Sequence, residues 1–161
     1  MHPQSVRFGF ISGAILLGIV GIAYIIDKPL MLNFYLYLLA WCVPVYFMYT
    51  KSGNLSDEPG AFRAVFTKAF HIFLIAALMY QAFYFGVTYF DEQMVDVLKQ
   101  ADIKRAEVFV PKDMLKERLS EIERSDYSFN SRAAMLTFGL SLIKGGMLSI
   151  AVTLIKRFRT V

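Results

Sequence analysis

The sequence predicts an all-α polytopic membrane protein. Four transmembrane helices are expected, with an extracytoplasmic amphipathic helical hairpin between the third and the fourth. Three observations predict this. Long apolar runs occupy residues 8–26, 30–50, 69–90 and 133–155, and at 1.5 Å rise per residue each can cross a hydrocarbon core of about 30 Å. Hydrophobic residues make up 57% of the 161-residue chain, with mean hydropathy +0.48, and they are gathered into those runs. Basic residues also collect at alternate span ends. By length the whole chain, 1–161, forms a single membrane domain.

The first span, 8–26, carries no charge between Arg7 and Asp27. A cleaved signal peptide, with Gly21, Ile22 and Ala23 as the small-residue site, is the competing reading. The apolar run exceeds the usual h-region of roughly 7–15 residues, and a further span follows at once, which favours a retained helix. Gly9 and Gly13 form a GxxxG pair, and Gly21 continues the same stripe. Small residues let helix backbones approach where lipid is as apolar as leucine. The stripe packs against another span of the same chain, or it forms a homodimer seam.

Asp27, Lys28 and Pro29 make a tight turn into the second span, 30–50. Tyr35, Tyr37, Tyr46 and Tyr49 lie toward its two ends, as an interfacial aromatic belt does. Pro44 is interior, frees the carbonyl of Ala40 and predicts a kink. Residues 51–68 form a polar connection with turn chemistry at Ser52-Gly53-Asn54 and Glu58-Pro59-Gly60. Asp57 is positioned to cap a short amphipathic lead-in, 60–68. The third span, 69–90, has His71 near its start and Tyr80, Gln81 and Tyr84 near its middle and far half.

Residues 91–132 carry ten acids and eight bases. Met94, Val95, Val97, Leu98 and Ala101 make one helical stripe, and Met114, Leu115, Leu119 and Ile122 make another beyond Pro111. The pattern predicts two amphipathic helices, 92–107 and 112–124, the first able to run on directly from the third span. Residues 125–131 are the re-entry turn. The hairpin lies on the membrane or over the bundle mouth, or it docks another protein.

With four spans both termini share one side. That side holds Arg7, Lys51, Arg63, Lys68, Lys156, Arg157 and Arg159 against Asp57 and Glu58, a net +5. The opposite side is net −2. The positive-inside rule therefore predicts cytoplasmic termini and an external hairpin. The overall charge of +4 sits where lipid headgroups and orientation explain it, so nucleic-acid binding is not read from it.

The last span holds one charge, Lys144, at its centre, where insertion scales set a cost of about 2.5–3.5 kcal/mol. Ser141, Gly145, Ser149 and Thr153 recur every fourth residue beside it, a small and hydroxyl-bearing packing stripe. Gln81, Tyr80 and Tyr84 stand at similar depth by count, so the predicted intramembrane polar site is Lys144, Gln81, Tyr80 and Tyr84, with Lys144 facing the bundle. Lys144 is either a clasp between helices or a snorkelling group, or it attracts an anion: a lipid phosphate or an acidic residue of a partner. No Asp or Glu lies inside any span. No Ser/His/Asp set, metal-ligand cluster or phosphate loop is legible, and Cys42 is alone, so no catalytic residue, metal or cofactor is expected.

The run from Gly60 to Lys68 leading straight into a span, the tyrosine-rich exit at residues 84–90 followed by acids, the charged hairpin, and the Gly/Ser-rich last span ending Ile155-Lys156-Arg157 together resemble a family of small four-span inner-membrane proteins from the Bacteroidota, itself of unknown function. The 60–68 run is similar to that family's F-x-E-A-F-K lead-in, with Arg63 where an acid is expected. The resemblance implies topology and the bacterial inner membrane, and no activity. Two classes of function remain: a non-enzymatic accessory or scaffold subunit with a membrane-protein partner or as a homo-oligomer, and a small transporter or anionic-lipid-handling protein working through Lys144.

Overall fold

The computed structural model describes residues 2–54, 59–125, 127 and 131–159, of residues 131–133 and 159 the backbone only. Six α-helices account for it: α1 Pro3–Ile26, α2 Phe34–Lys51, α3 Ala61–Phe90, α4 Glu92–Phe109, α5 Lys112–Arg124 and α6 Ser131–Arg159. It is 91% helical, without strands among the described residues. Among the described residues three segments are long and apolar enough to cross a membrane: α1, α3 and Ala134–Phe158 of α6.

Helices α1, α2, α3 and α6 lie side by side and alternate in direction. Phe8 near the start of α1 meets Phe47 near the end of α2, with ring centroids 6.2 Å apart. Trp41 and Tyr37 of α2 reach Phe73 and Tyr80 of α3 in the reverse order. Gln81 then meets Ser141 of α6, while Phe73 lies beside Gly145. Helix α3 is the hub, packed on α1, α2 and α6, whereas α1 and α6 do not meet among the described residues. At 18 residues α2 is about 27 Å long. Long enough to span, it still falls below the hydropathy of those three segments, its four tyrosines and terminal Lys51 lowering the average.

The boundaries of the second span differ from the sequence expectation. Residues Lys28–Leu32 form a 3-10 helix, and α2 begins only at Phe34. Asn33 decides this. Its side-chain oxygen accepts from the backbone N–H groups of Tyr35 and Leu36 at 3.0 and 3.2 Å, which satisfies two orphan donors at a helix start. Pro29 suits the tight turn before it. Pro44 is buried inside a continuous helix.

The lead-in at 60–68 joins the third span without a break, because α3 runs from Ala61 to Phe90. Its N-cap, Gly60, has φ +91°, a left-handed conformation open to glycine, so the chain turns sharply into the helix there. Asp57, the expected cap, lies outside the described residues. The first hairpin helix does not run on from α3. Asp91 breaks the chain in extended conformation and caps α4, accepting from the N–H of Gln93 at 3.1 Å. Helices α4 and α5 otherwise lie close to their predicted ranges, and Ser125 ends α5. Ser131, expected to close the re-entry turn, already opens α6, and residues 126 and 128–130 of that turn lie outside the described residues.

Two buried clusters fill the interior. Met48, Ala69, Ile72, Phe73, Ala77 and Val152 join α2, α3 and α6 toward one end. Leu16, Val20, Met31, Ala40 and Met94 join α1, the 3-10 helix, α2 and α4 toward the other. Met94 ties the arm formed by α4 and α5 to the bundle. Helix α5 touches α4 alone among the described helices.

Candidate functional site

The face that α6 turns toward α3 and α2 is a ladder of small and polar residues. Gln81, 6% exposed, donates from Nε2 to the Ser141 hydroxyl at 2.8 Å, and that hydroxyl donates to the Thr137 carbonyl at 3.0 Å. One turn on, Gly145 leaves room for the Phe73 ring: a Cβ there would stand 2.6 Å from Cε1 of that ring. Ser149 and Thr153 are fully buried, and each returns its hydroxyl to the carbonyl four residues back, at 2.7 Å in both cases. The ladder ends at Lys156. Its ammonium donates to the Ser52 hydroxyl at 3.0 Å and to the Gly53 carbonyl, and lies 5.4 Å from the Tyr49 ring centroid. The stripe of Ser141, Gly145 and Ser149 therefore seats α6 on the hub.

Gly9 and Gly13 do the same for α1. A Cβ on Gly9 would stand 2.8 Å from Cβ of Ile75, and one on Gly13 would stand 2.6 Å from the Met79 sulfur. Gly21 sits more loosely, 4.0 Å from Phe83 by the same measure. All three glycines face α3 of the same chain.

The four residues expected to form one polar site are not brought together. Gln81 is engaged with Ser141. Tyr80 turns toward α2, where it stacks edge-on against Trp41 and Tyr37, with centroids 5.6 and 6.2 Å apart. Tyr84 stacks on Tyr80 at 6.3 Å. The Trp41 Nε1 and the His71 Nδ1 are buried and find no hydrogen-bond partner among the described residues. Lys144 is exposed, and among the described residues no hydrogen bond, ion pair or ring contact reaches it. The reason is angular. Neighbouring helical residues project about 100° apart, so when Gly145 faces Phe73, Lys144 points off the interface. Among the described side chains the buried cation of α6 is instead Lys156. Sequence counting missed it because Lys156 reads as one of a basic cluster at a span end. The free carbonyl of Gly53, at φ +94°, comes to meet it only through tertiary packing.

A second constellation anchors the arm. Lys28 Nζ lies 2.6 Å from Asp91 Oδ2 and donates to Gln93 Oε1 at 2.7 Å. Tyr24 donates its hydroxyl to the same Asp91 oxygen at 2.5 Å. Hydrogen bonds from Lys28 and then from Tyr24 hold the Asp91 carboxyl below its ordinary range. Within the arm, Tyr127 donates to Asp102 Oδ2 at 2.9 Å, and Lys99 donates to the Glu123 carbonyl at 3.3 Å. Burial first, and then the Asp102 carboxylate, push the Tyr127 phenol up. Beside the arm a groove of about 530 Å³ opens between the 3-10 helix and α4. Its lining includes Pro29, Leu32, Val97 and Ala101, and its charged residues are Asp96, Lys104 and Arg105. Among the described residues no group of three or more His, Cys, Asp or Glu side chains is placed to hold a metal ion.

Geometry and polarity define the class: an all-helical protein with three helices able to cross a membrane, whose buried polar groups join helix to helix. The chain matches no protein-family model, no curated protein and no solved structure.

Proposed function

We propose that the chain is a non-enzymatic accessory or scaffold subunit of the bacterial inner membrane. In this reading α1, α2, α3 and α6 all cross, with both termini cytoplasmic and the α4–α5 arm outside. Lengthwise packing of α2 between α1 and α3 supports the fourth crossing, and the charge asymmetry of the connections supports the orientation.

The observation that carries the accessory role is the arm. It is fixed at its root by the Asp91 clasp and by Met94, and it ends in an apolar corner. At that corner Val108 is 73% exposed and Phe109 82%, and Met114 is exposed as well. A fixed arm with an uncovered apolar tip suits attachment to a second surface. The polar groups inside the bundle meanwhile serve its cohesion.

Purification in mild detergent with mass spectrometry of co-purifying protein and lipid tests this. A stoichiometric membrane-protein partner, lost when Val108 and Phe109 become serine, is the expected result. Homogeneous protein carrying an enriched anionic lipid and no protein partner would overturn it. The alternative class, anionic-lipid handling, would then rest on the groove whose lining includes Lys104 and Arg105.

A further inference from the structure

The exposed side of α6 is ordered about Lys144. Leu140, Lys144, Met147, Ala151, Leu154 and Phe158 are all exposed, and they follow one another at alternating steps of four and three residues. That spacing is the seam by which one helix packs along another, and a lone polar residue within such a seam sets its register. The seam lies on the side of α6 away from the small-residue ladder, so it is not consumed by folding of this chain.

Lys144 identifies what covers the seam. Helical rise sets its Cα about 15 Å from the level of Ala134 and about 21 Å from that of Phe158. A four-carbon stem reaches only part of either distance, so the ammonium stays deep and is compensated only by an anion at that depth. Helices α1, α2, α3 and α6 contain no Asp or Glu. A second copy of this chain therefore brings no carboxylate to that depth, and α6 against α6 would set two ammonium groups face to face. We infer that the Leu140–Phe158 seam docks a transmembrane helix of a different protein, one carrying an Asp or Glu at the depth of Lys144. The inference rests on the accessory-subunit reading and assigns that subunit's partner its chemistry.

The test uses the full-length chain in its native membrane, with a photo-crosslinking residue at Leu140 or Met147, one turn to either side of Lys144. The adduct is expected to map to a transmembrane peptide of another protein, with an Asp or Glu within one turn of the crosslinked atom. Lys144→Glu is expected to abolish the adduct, and the matching acid-to-lysine exchange in the partner to restore it. Lys144→Met, which keeps the helix apolar, is expected to weaken recovery of the partner about tenfold to a hundredfold. Adducts with a second copy, with lipid alone, or with a helix lacking an acid each overturn the inference. So does failure of the exchanged pair to restore the adduct. If a protein partner co-purifies undiminished with Lys144→Glu, this inference fails while the accessory role stands. If no protein co-purifies with the wild-type chain, both fail.

Discussion

Gly145 and Gly146 are chain neighbours on α6 and are predicted to respond to alanine with opposite signs. A Cβ at Gly145 would overlap the Phe73 ring, 2.6 Å from Cε1, whereas a Cβ at Gly146 would meet nothing within 4 Å. Phe73 has little freedom to retreat. It is 3% exposed and stacks on Trp41 with centroids 5.1 Å apart. Overpacking a tight interior costs about 1–3 kcal/mol, while alanine gains up to about 1 kcal/mol over glycine in a helix. Both variants share the alanine gain, so Gly145→Ala should fall about 1–3 kcal/mol below Gly146→Ala, with a net loss of up to about 2–3 kcal/mol. Gly146→Ala should be neutral or gain up to about 1 kcal/mol. Reversible unfolding of the purified protein in mixed micelles, titrated with a denaturing detergent and followed by helicity, measures both. Adding Phe73→Leu to Gly145→Ala should recover part of the loss, a coupling that marks direct contact. Equal stability of the two single variants would refute the packing of α6 on α3 described above.

Three further outcomes follow from the same geometry. Gln81→Leu and Ser141→Ala should each lower stability in the detergent titration by about 0.5–1.5 kcal/mol, and together by less than their sum, since both remove one interhelical bond. Asp91→Asn should speed hydrogen exchange along α4 at neutral pH, because its charged bonds to Lys28 and Tyr24 are weakened. The folded-state carboxyl is depressed, so its contribution is present above the unfolded value of about 3.9 and lost as pH falls through the folded one. Protection of α4 in the wild-type chain should therefore drop toward that of the variant only in strong acid. Tyr127→Phe should leave the bundle's stability unchanged and loosen α5 from α4, read as faster exchange confined to Lys112–Arg124.

Helix existence was legible wherever apolar periodicity was long. Three of the four runs fold as helices able to cross a membrane, and α4 and α5 lie within about two residues of their expected ranges, because Pro111 and Asp91 punctuate them. Boundaries failed where one polar side chain competes with an apolar pattern. Asn33 captures the α2 start from inside a hydrophobic run, whereas the turn chemistry at Pro59 and Gly60 marked the α3 start correctly. The predicted polar cluster did not assemble because depth along a helix can be counted while azimuth cannot. Lys144 and Ser141 are one turn apart, yet the packing of Gly145 on Phe73 sends one inward and the other out. Lys156 was hidden for the converse reason, since its partners Ser52 and Gly53 are about a hundred residues away in the chain.

The most direct measurement is accessibility of single cysteines to a membrane-impermeant maleimide in intact cells, in a Cys42→Ser background. Gln4→Cys and Asn54→Cys are predicted to react only after permeabilisation, and Lys116→Cys to react in intact cells. Gln4 and Asn54 on opposite faces would show that α2 does not cross, and a shielded Lys116 would put the arm in the cytoplasm. Either result would contradict a four-crossing protein with an external arm.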